Sequence, residues 1–128
     1  MTREELEEIR DLQLEIMRCQ YKLHILDMRS PASSPIAGAV HGSGISDKIG
    51  NTAEQRISLE NKIAALQSEV NRRKAYINAI QDYDMREIIY CKCIHGFTFY
   101  EISKRVGMPK NTIKTRYYRF FQNVLENP

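Results

Sequence analysis

Residues 96–121 read GFTFYEISKRVGMPKNTIKTRYYRFF and contain the signals for two short helices joined by a tight turn. Thr98 followed by Glu101 forms a capping-box pair, which predicts that a helix starts there. Gly107 is a natural helix stop, and Pro109 suits the first turn of a following helix. The sequence therefore predicts one helix that ends at Val106 and a second that runs from about residue 109 to about residue 126.

The second of these helices has one apolar face. Ile113, Tyr117, Phe120 and Val124 recur at steps of four, three and four, and they lie within about 60° of each other on a helical wheel. We expect this stripe to anchor the helix, with the small Ser103 where the two helices approach. The pattern is typical of a helix-turn-helix, whose second helix enters the major groove of DNA.

The charge of the chain is concentrated in its last third. Residues 85–128 hold eight Lys and Arg against three Asp and Glu, whereas residues 1–84 hold 11 against 13. The stretch from Lys110 to Phe121 has four cations and no acid. This distribution favours a nucleic-acid-binding end.

The residues of the second helix divide into two predicted roles. Lys and Asn side chains early in such a helix suit guanine and adenine edges, whereas cations further along reach phosphates. The predicted DNA-binding residues are Thr98, Lys110, Asn111, Thr112, Lys114, Thr115, Arg116, Tyr118 and Arg119. For Arg116 and Arg119 the alternative is an ordinary solvated helix face, and Tyr118 could instead pack against the helix that begins at Asp84.

Two long helices are predicted before this region. Residues 2–28 contain no Gly or Pro, and residues 52–80 contain none either. Both show apolar residues at alternating steps of three and four, which is the a/d seam of a coiled coil. The first seam is Ile9, Leu12, Ile16, Cys19, Leu23 and Leu26; the second is Leu59, Ile63, Leu66, Val70, Arg73, Ile77 and Ile80, with a lapse at Arg73.

The segment between the seams is predicted to be a loop. Residues 30–44 read SPASSPIAGAVHGSG, and the loop extends to about residue 51, where Asn51 or Thr52 can cap the second helix. An antiparallel hairpin is the favoured arrangement, and a parallel multimer is the alternative. The predicted fold is all-α, with a helical hairpin arm over residues 1–83 and a helix-turn-helix domain over residues 84–128. The arm is also predicted to form a homo-oligomer, with a dimer favoured.

The stretch around the turn resembles the promoter-reading region four of bacterial sigma factors, especially the extracytoplasmic-function type. The matching residues are His95-Gly96-Phe97-Thr98, Glu101-Ile102-Ser103, Val106-Gly107-Met108-Pro109 and Thr112-Ile113-Lys114-Thr115-Arg116-Tyr117. Aromatic Tyr117 and Phe120 replace the aliphatic residues usual in that family. The resemblance implies promoter binding through the second helix.

The whole chain resembles small phage-encoded late-gene regulators of the ArpU/RinA type, with Ser46-Asp47-Lys48-Ile49-Gly50-Asn51 in the predicted loop. The resemblance implies a phage or prophage transcription activator that binds double-stranded DNA in the cytoplasm of the bacterial host. A contact with host RNA polymerase is a further implication. Two alternatives remain open: a packaging-initiation subunit similar to a small terminase, and an adaptor that contacts RNA polymerase without binding DNA.

Other classes of protein are not expected. Cys91, Cys93 and His95 do not supply the four tetrahedral ligands of a structural zinc, so we predict no metal site and no cofactor. No phosphate-binding loop or catalytic constellation is present, and we predict no enzyme. No apolar run approaches the roughly 18 residues of a membrane span.

Overall fold

The computed structural model describes the backbone of residues 1–28 and 42–126, and the side chains of residues 1–28 and 52–122. Within these ranges the regular structure is entirely helical, which confirms the predicted all-α fold. The helices are α1 (Arg3–Glu7), α2 (Ile9–Met28), α3 (Gly42–Asn78), α4 (Tyr83–Tyr90), a π-helical turn (Cys91–His95), α5 (Phe99–Val106) and α6 (Lys110–Glu126). None of the helices in the described ranges has both the length and the hydrophobicity needed to cross a bilayer.

The chain divides into two compact units. The terminal unit consists of Met1–Gln13 and Glu69–Pro128, and the middle unit consists of Leu14–Ser68. These units do not coincide with the predicted domains, because the first turns of the chain and the last turns of α3 pack with the C-terminal helices. The predicted boundary between an arm over residues 1–83 and a helix-turn-helix domain over residues 84–128 stays a prediction.

In the middle unit α2 and α3 run antiparallel. Lys62 donates a hydrogen bond to Glu15 at 2.8 Å, and Arg56 forms an ion pair with Asp27. As the residue numbers rise along α2, the residue numbers of their partners in α3 fall, which is the antiparallel arrangement. Ile16 and Cys19 of the first seam are buried here. The hairpin prediction is confirmed over this unit, where these seam residues are buried within the single chain.

The core of the terminal unit draws on both ends of the chain. Its fully buried aliphatic side chains are Leu6, Ile9, Val70, Ile77, Ile88, Ile89, Ile102 and Ile113. Helix α1 packs against the π-helical turn, and α4, α5 and α6 pack against one another. The four earliest of these side chains belong to segments predicted to lie in a separate arm.

Arg73, the polar residue that interrupts the second seam, donates three side-chain hydrogen bonds within the terminal unit. Its guanidinium donates to the carbonyl oxygen of Glu5 at 2.7 Å, to the carboxylate of Glu8 at 3.1 Å and to that of Glu69 at 2.9 Å. These charge-assisted bonds pair an Arg side chain that would otherwise be costly to place against apolar neighbours. Hydrogen bonds from Arg72 and Arg73 lower the pKa of Glu69 to about 2.

The predicted loop between the seams is partly wrong. Helix α3 begins at Gly42 rather than near Asn51 or Thr52, so the Ser46–Asn51 signature lies on helical backbone. Extending an existing helix adds one hydrogen bond per residue, and this outweighs an internal capping signal and the helix-weakening Gly residues. The rest of the predicted loop, residues 30–41, lies outside the described residues. At its other end α3 stops at Asn78, two residues before Ile80.

The helix boundaries predicted around the turn are confirmed. Asp82 caps α4 by accepting bonds from the amides of Asp84 and Met85. Gly96 ends the following turn with a φ of 71°, and the amide of Phe97 donates to the carbonyl of Cys91 at 3.0 Å, which closes a Schellman-type end. The π-helical geometry of Cys91–His95 was not predicted.

Two isoleucines on α3 give a matched test of the observed core. Ile77 is fully buried in the terminal unit, whereas Ile57 in the middle unit is 57 % exposed. We expect Ile77→Ala to reduce the free energy of unfolding by about 2–5 kcal/mol, and Ile57→Ala by no more than about 0.5 kcal/mol. Urea unfolding followed by circular dichroism measures both. Equal effects would contradict the burial of Ile77.

Candidate nucleic-acid interface

The helix-turn-helix is set by local signals on both sides of its turn. The amide of Glu101 donates to the Thr98 hydroxyl at 3.2 Å, and the amide of Thr98 donates to the Glu101 carboxylate at 3.4 Å. This reciprocal pair starts α5. Gly107 then ends α5 with a φ of 79°, and α6 begins at Lys110, directly after Pro109. The two helices are therefore joined by Gly107–Pro109, as predicted.

The stripe that anchors α6 is rotated from the predicted one. Ile113 and Tyr117 are fully buried, as expected, but the next buried residue is Phe121 at 5 % exposure rather than Phe120, which is half-buried. The side chain of Val124 lies outside the described residues. The rotation places the apolar face about 30° further round the helix, because the N-terminal residues pack along the Tyr117 side.

Tyr117 joins α6 to the N-terminus. Its hydroxyl donates to the Glu7 carboxylate at 2.7 Å, and the Cys93 thiol lies 3.7 Å from the same oxygen. The Phe99 ring meets the Tyr117 ring edge-on, with 5.5 Å between centroids. Burial raises the pKa of the Tyr117 hydroxyl well above its usual value, so the group is a neutral donor at every physiological pH.

All nine predicted DNA-binding residues are exposed. At about 100° per residue, Asn111, Thr115 and Arg119 lie opposite the buried stripe, with Lys114 and Arg116 on the two flanks. Arg119 therefore moves from a predicted flank to the middle of the exposed face. We call the exposed residues of α6 (Lys110, Asn111, Thr112, Lys114, Thr115, Arg116, Tyr118 and Arg119) the α6 face.

The four cations of the α6 face, Lys110, Lys114, Arg116 and Arg119, form no ion pair with any described residue. Some cations of the helices before α6 do have partners. Arg105 lies 3.5 Å from the Glu87 carboxylate, and the Lys92 ammonium lies 4.4 Å from the centroid of the Phe99 ring. The terminal unit as a whole has 13 Lys and Arg against 11 Asp and Glu, and the α6 face holds four of these cations and no acid.

Two of the predicted DNA-binding residues, Thr98 and Tyr118, contact other side chains of the protein. The Thr98 hydroxyl caps α5 and lies 3.1 Å from the Glu101 carboxylate, whose negative charge opposes a phosphate at that position. Tyr118 is 39 % exposed, and its ring packs against the Phe99 ring. The predicted phosphate contact is therefore weaker for Thr98 than for the arginines of α6.

Arg3 is a neighbour of the α6 face that sequence reasoning missed. Its guanidinium stacks on the Tyr118 ring, 5.0 Å from the centroid, and so adds a fifth cation beside the face. Its positive charge is partly neutralised by the carboxylates of Glu4 and Glu7, whose oxygens lie 3.4 and 3.8 Å from the guanidinium nitrogens. No local signal in MTREELEE predicts this contact, because it joins residues more than a hundred positions apart.

The cysteines of the π-helical turn are core residues. Cys91 and Cys93 are both buried, and burial raises the pKa of each thiol to about 11. The described residues include no group of three His, Cys, Asp or Glu side chains placed to hold a metal ion. Both thiols are accordingly neutral and unreactive at physiological pH.

Comparison of the chain with protein-family models, with curated proteins and with solved structures finds no match.

The two left-handed glycines allow a test of the turn. A Cβ at Gly107 would meet nothing within 4 Å, whereas one at Gly96 would collide with the Arg10 guanidinium. We expect Gly107→Ala to cost about 1–2 kcal/mol from backbone strain alone, and Gly107→Asn to cost less. Gly96→Ala should cost about as much as Gly107→Ala, because the Arg10 guanidinium is the exposed end of a flexible side chain and can move aside. Thermal unfolding of the three variants measures the order, and an equal loss for Ala and Asn at residue 107 would contradict a left-handed turn.

Proposed function

We propose that this protein is a sequence-specific DNA-binding transcription regulator that places α6 in the major groove. The observation that carries the proposal is the α6 face: four exposed cations that form no ion pair with a described residue, interleaved with Asn and Thr side chains, on a helix anchored by the buried Ile113, Tyr117 and Phe121. A helix anchored in this way presents base-reading and phosphate-binding groups together.

The position of each residue on α6 supports distinct roles in contacting base edges and phosphates. Asn111 and Thr115 are central on the exposed face and suit base edges, to which Asn donates and accepts in a bidentate pair with adenine. Lys114 and Arg116 on the flanks suit the phosphates of the two strands that border the groove. Arg119, one turn after Thr115, can reach a base or a phosphate.

The biological setting follows from the sequence motifs. The resemblance to region four of sigma factors and to phage late-gene regulators favours a phage or prophage activator that works in the bacterial cytoplasm. A contact with host RNA polymerase belongs to the same proposal. Aromatic Tyr117 stands where region four of sigma factors usually has an aliphatic residue, and the buried stripe of α6 is rotated by about 30° from the predicted one.

Selection of binding sites from a pool of random duplexes tests the proposal. We expect enrichment of a defined site, and an affinity that falls with salt by a log–log slope of about −3 to −4 if the four cations of α6 contact phosphates. Weak binding with no enriched sequence, or binding that salt does not change, would contradict sequence-specific recognition through this face.

A further inference from the structure

Helix α2 has a second row of seam-spaced residues within the middle unit. Leu14, Met17, Tyr21, His24 and Met28 follow one another at steps of three, four, three and four. Leu14 is 43 % exposed, Met17 63 %, Tyr21 66 % and Met28 62 %. This row, the outer seam, has the a/d spacing of a coiled-coil stripe although it is not the stripe that packs against α3.

The outer seam is a separate face of the helix. At 100° per residue its centre lies about 140° from the stripe that contains Ile16 and Cys19, both buried in the hairpin. Leu14, Met17 and Tyr21 border a shallow groove whose edge is formed by Arg18 and Lys22. A narrow heptad stripe on a surface helix typically packs knobs-into-holes against another helix.

We propose that the outer seam is a self-association surface, occupied by the outer seam of a second copy of this chain. A second copy supplies a stripe of the same length and the same spacing, which a two-fold, isologous interface requires. Four exposed apolar side chains offer on the order of 400 Å² of apolar surface, in the range of functional patches. The aliphatic stems of Arg18 and Lys22 extend it towards the roughly 800 Å² per partner of a stable interface.

Charge favours a second copy over an acidic partner. The positions beside the seam include uncharged Gln20 and Ile25, and Arg18 is paired with Glu15 at 3.5 Å. The middle unit has six Lys and Arg against five Asp and Glu, so two copies meet without strong repulsion. Beside the outer seam, Lys22 is a single cation that forms no ion pair with a described residue, whereas the α6 face groups four, so a polyanion or an acidic protein surface is better matched there.

The side chains of the outer seam determine how tightly two copies of the chain would bind. His24 and Tyr21 place polar groups where a strong coiled coil has Leu, and polar seam residues lower stability while they fix register. We therefore expect a reversible dimer with a micromolar dissociation constant rather than an obligate one. His24→Leu should tighten it by about tenfold, since one buried apolar side chain in place of a polar one on each copy contributes roughly 1–2 kcal/mol.

Sedimentation equilibrium of the full chain, without DNA, tests the proposal. At about 50 μM, above the micromolar range expected, the unaltered chain should be mainly dimeric and Met17→Glu/Tyr21→Glu mainly monomeric. The control Gln55→Glu/Ser58→Glu adds the same charge at exposed positions of α3 and should leave the dimer intact. Circular dichroism checks that all variants keep their helix content, because every altered side chain is exposed.

Three outcomes would overturn the proposal: a monomer at all concentrations, a dimer that Met17→Glu/Tyr21→Glu leaves unchanged, or an assembly larger than a dimer. The proposal is independent of DNA binding. A monomer that still selects a DNA site would refute the outer seam alone, and a dimer that selects none would refute the proposed regulator alone.

Discussion

Residues 84–128 alone are expected not to fold cooperatively, although they contain the whole helix-turn-helix. Leu6, Ile9, Val70 and Ile77 are each at most 1 % exposed in the terminal unit, and all four lie outside this fragment. Fully burying one such side chain contributes about 1.5–3 kcal/mol, so the four together contribute roughly 6–12 kcal/mol. This matches the roughly 5–15 kcal/mol of net stability that a domain has. The fragment also lacks Glu7, which accepts the hydrogen bond of buried Tyr117.

Circular dichroism and thermal unfolding of the fragment and the full chain measure this effect. The full chain should melt in a sharp transition, and the fragment should show partial helix content that fades gradually. Two variants of the full chain separate lost packing from a change of surface hydrophobicity: Leu6→Ala should lower the free energy of unfolding by about 2–5 kcal/mol, whereas Ile57→Ala, at a 57 % exposed site, should lower it by no more than about 0.5 kcal/mol. A fragment that melts as sharply as the full chain would show that the terminal segments are dispensable.

Replacing Lys114 and Arg116 together by Ala is expected to weaken duplex binding about 10- to 100-fold at low salt. Each lost phosphate contact removes nearly one unit of salt dependence, so the log–log slope should fall by about 1.8. Both side chains are exposed and form no ion pair with a described residue, so the melting temperature should not change. Fluorescence anisotropy with a labelled duplex at several salt concentrations measures the affinity and the slope.

The matched control for this variant is Lys22→Ala, which removes an exposed cation from the middle unit. It should leave both affinity and slope within about twofold of the unaltered chain, since Lys22 does not belong to the α6 face and a charge outside the contact acts only through a screened field. An affinity at low salt that Lys114→Ala/Arg116→Ala leaves unchanged would remove α6 from the interface. Equal losses for the control and the double variant would indicate a general effect of net charge.

The sequence predicts the helix-turn-helix well because its signals are local. The capping pair Thr98–Glu101 and the stops at Gly96 and Gly107 act within a few residues, and each is where the sequence places it. The buried face of α6 is less well predicted. Phe120 and Phe121 are adjacent and equally apolar, and the choice between them depends on the N-terminal residues that pack beside Tyr117.

The other differences also come from contacts between distant segments. The seam residues Val70 and Ile77 are predicted to lie in an arm, but they are buried in the terminal unit. Between them on α3, Arg73 donates hydrogen bonds to Glu5 and Glu8, more than 60 positions away. Heptad spacing shows that one side of a helix packs against another element, but it does not identify that element. For the same reason the outer seam from Leu14 to Met28 is visible in the sequence only once the other stripe of α2 has been paired with α3.

Site-specific crosslinking from Thr115 tests the central proposal, that the α6 face meets DNA, most directly. The three native cysteines are at most 1 % exposed, so a photoreactive group on Thr115→Cys can be attached selectively. Ser58→Cys on α3 is the exposed control. With the selected duplex, the proposal predicts crosslinks from residue 115 to bases within the site and none from residue 58. Crosslinks from residue 58 alone, or equal weak crosslinks from both, would contradict it.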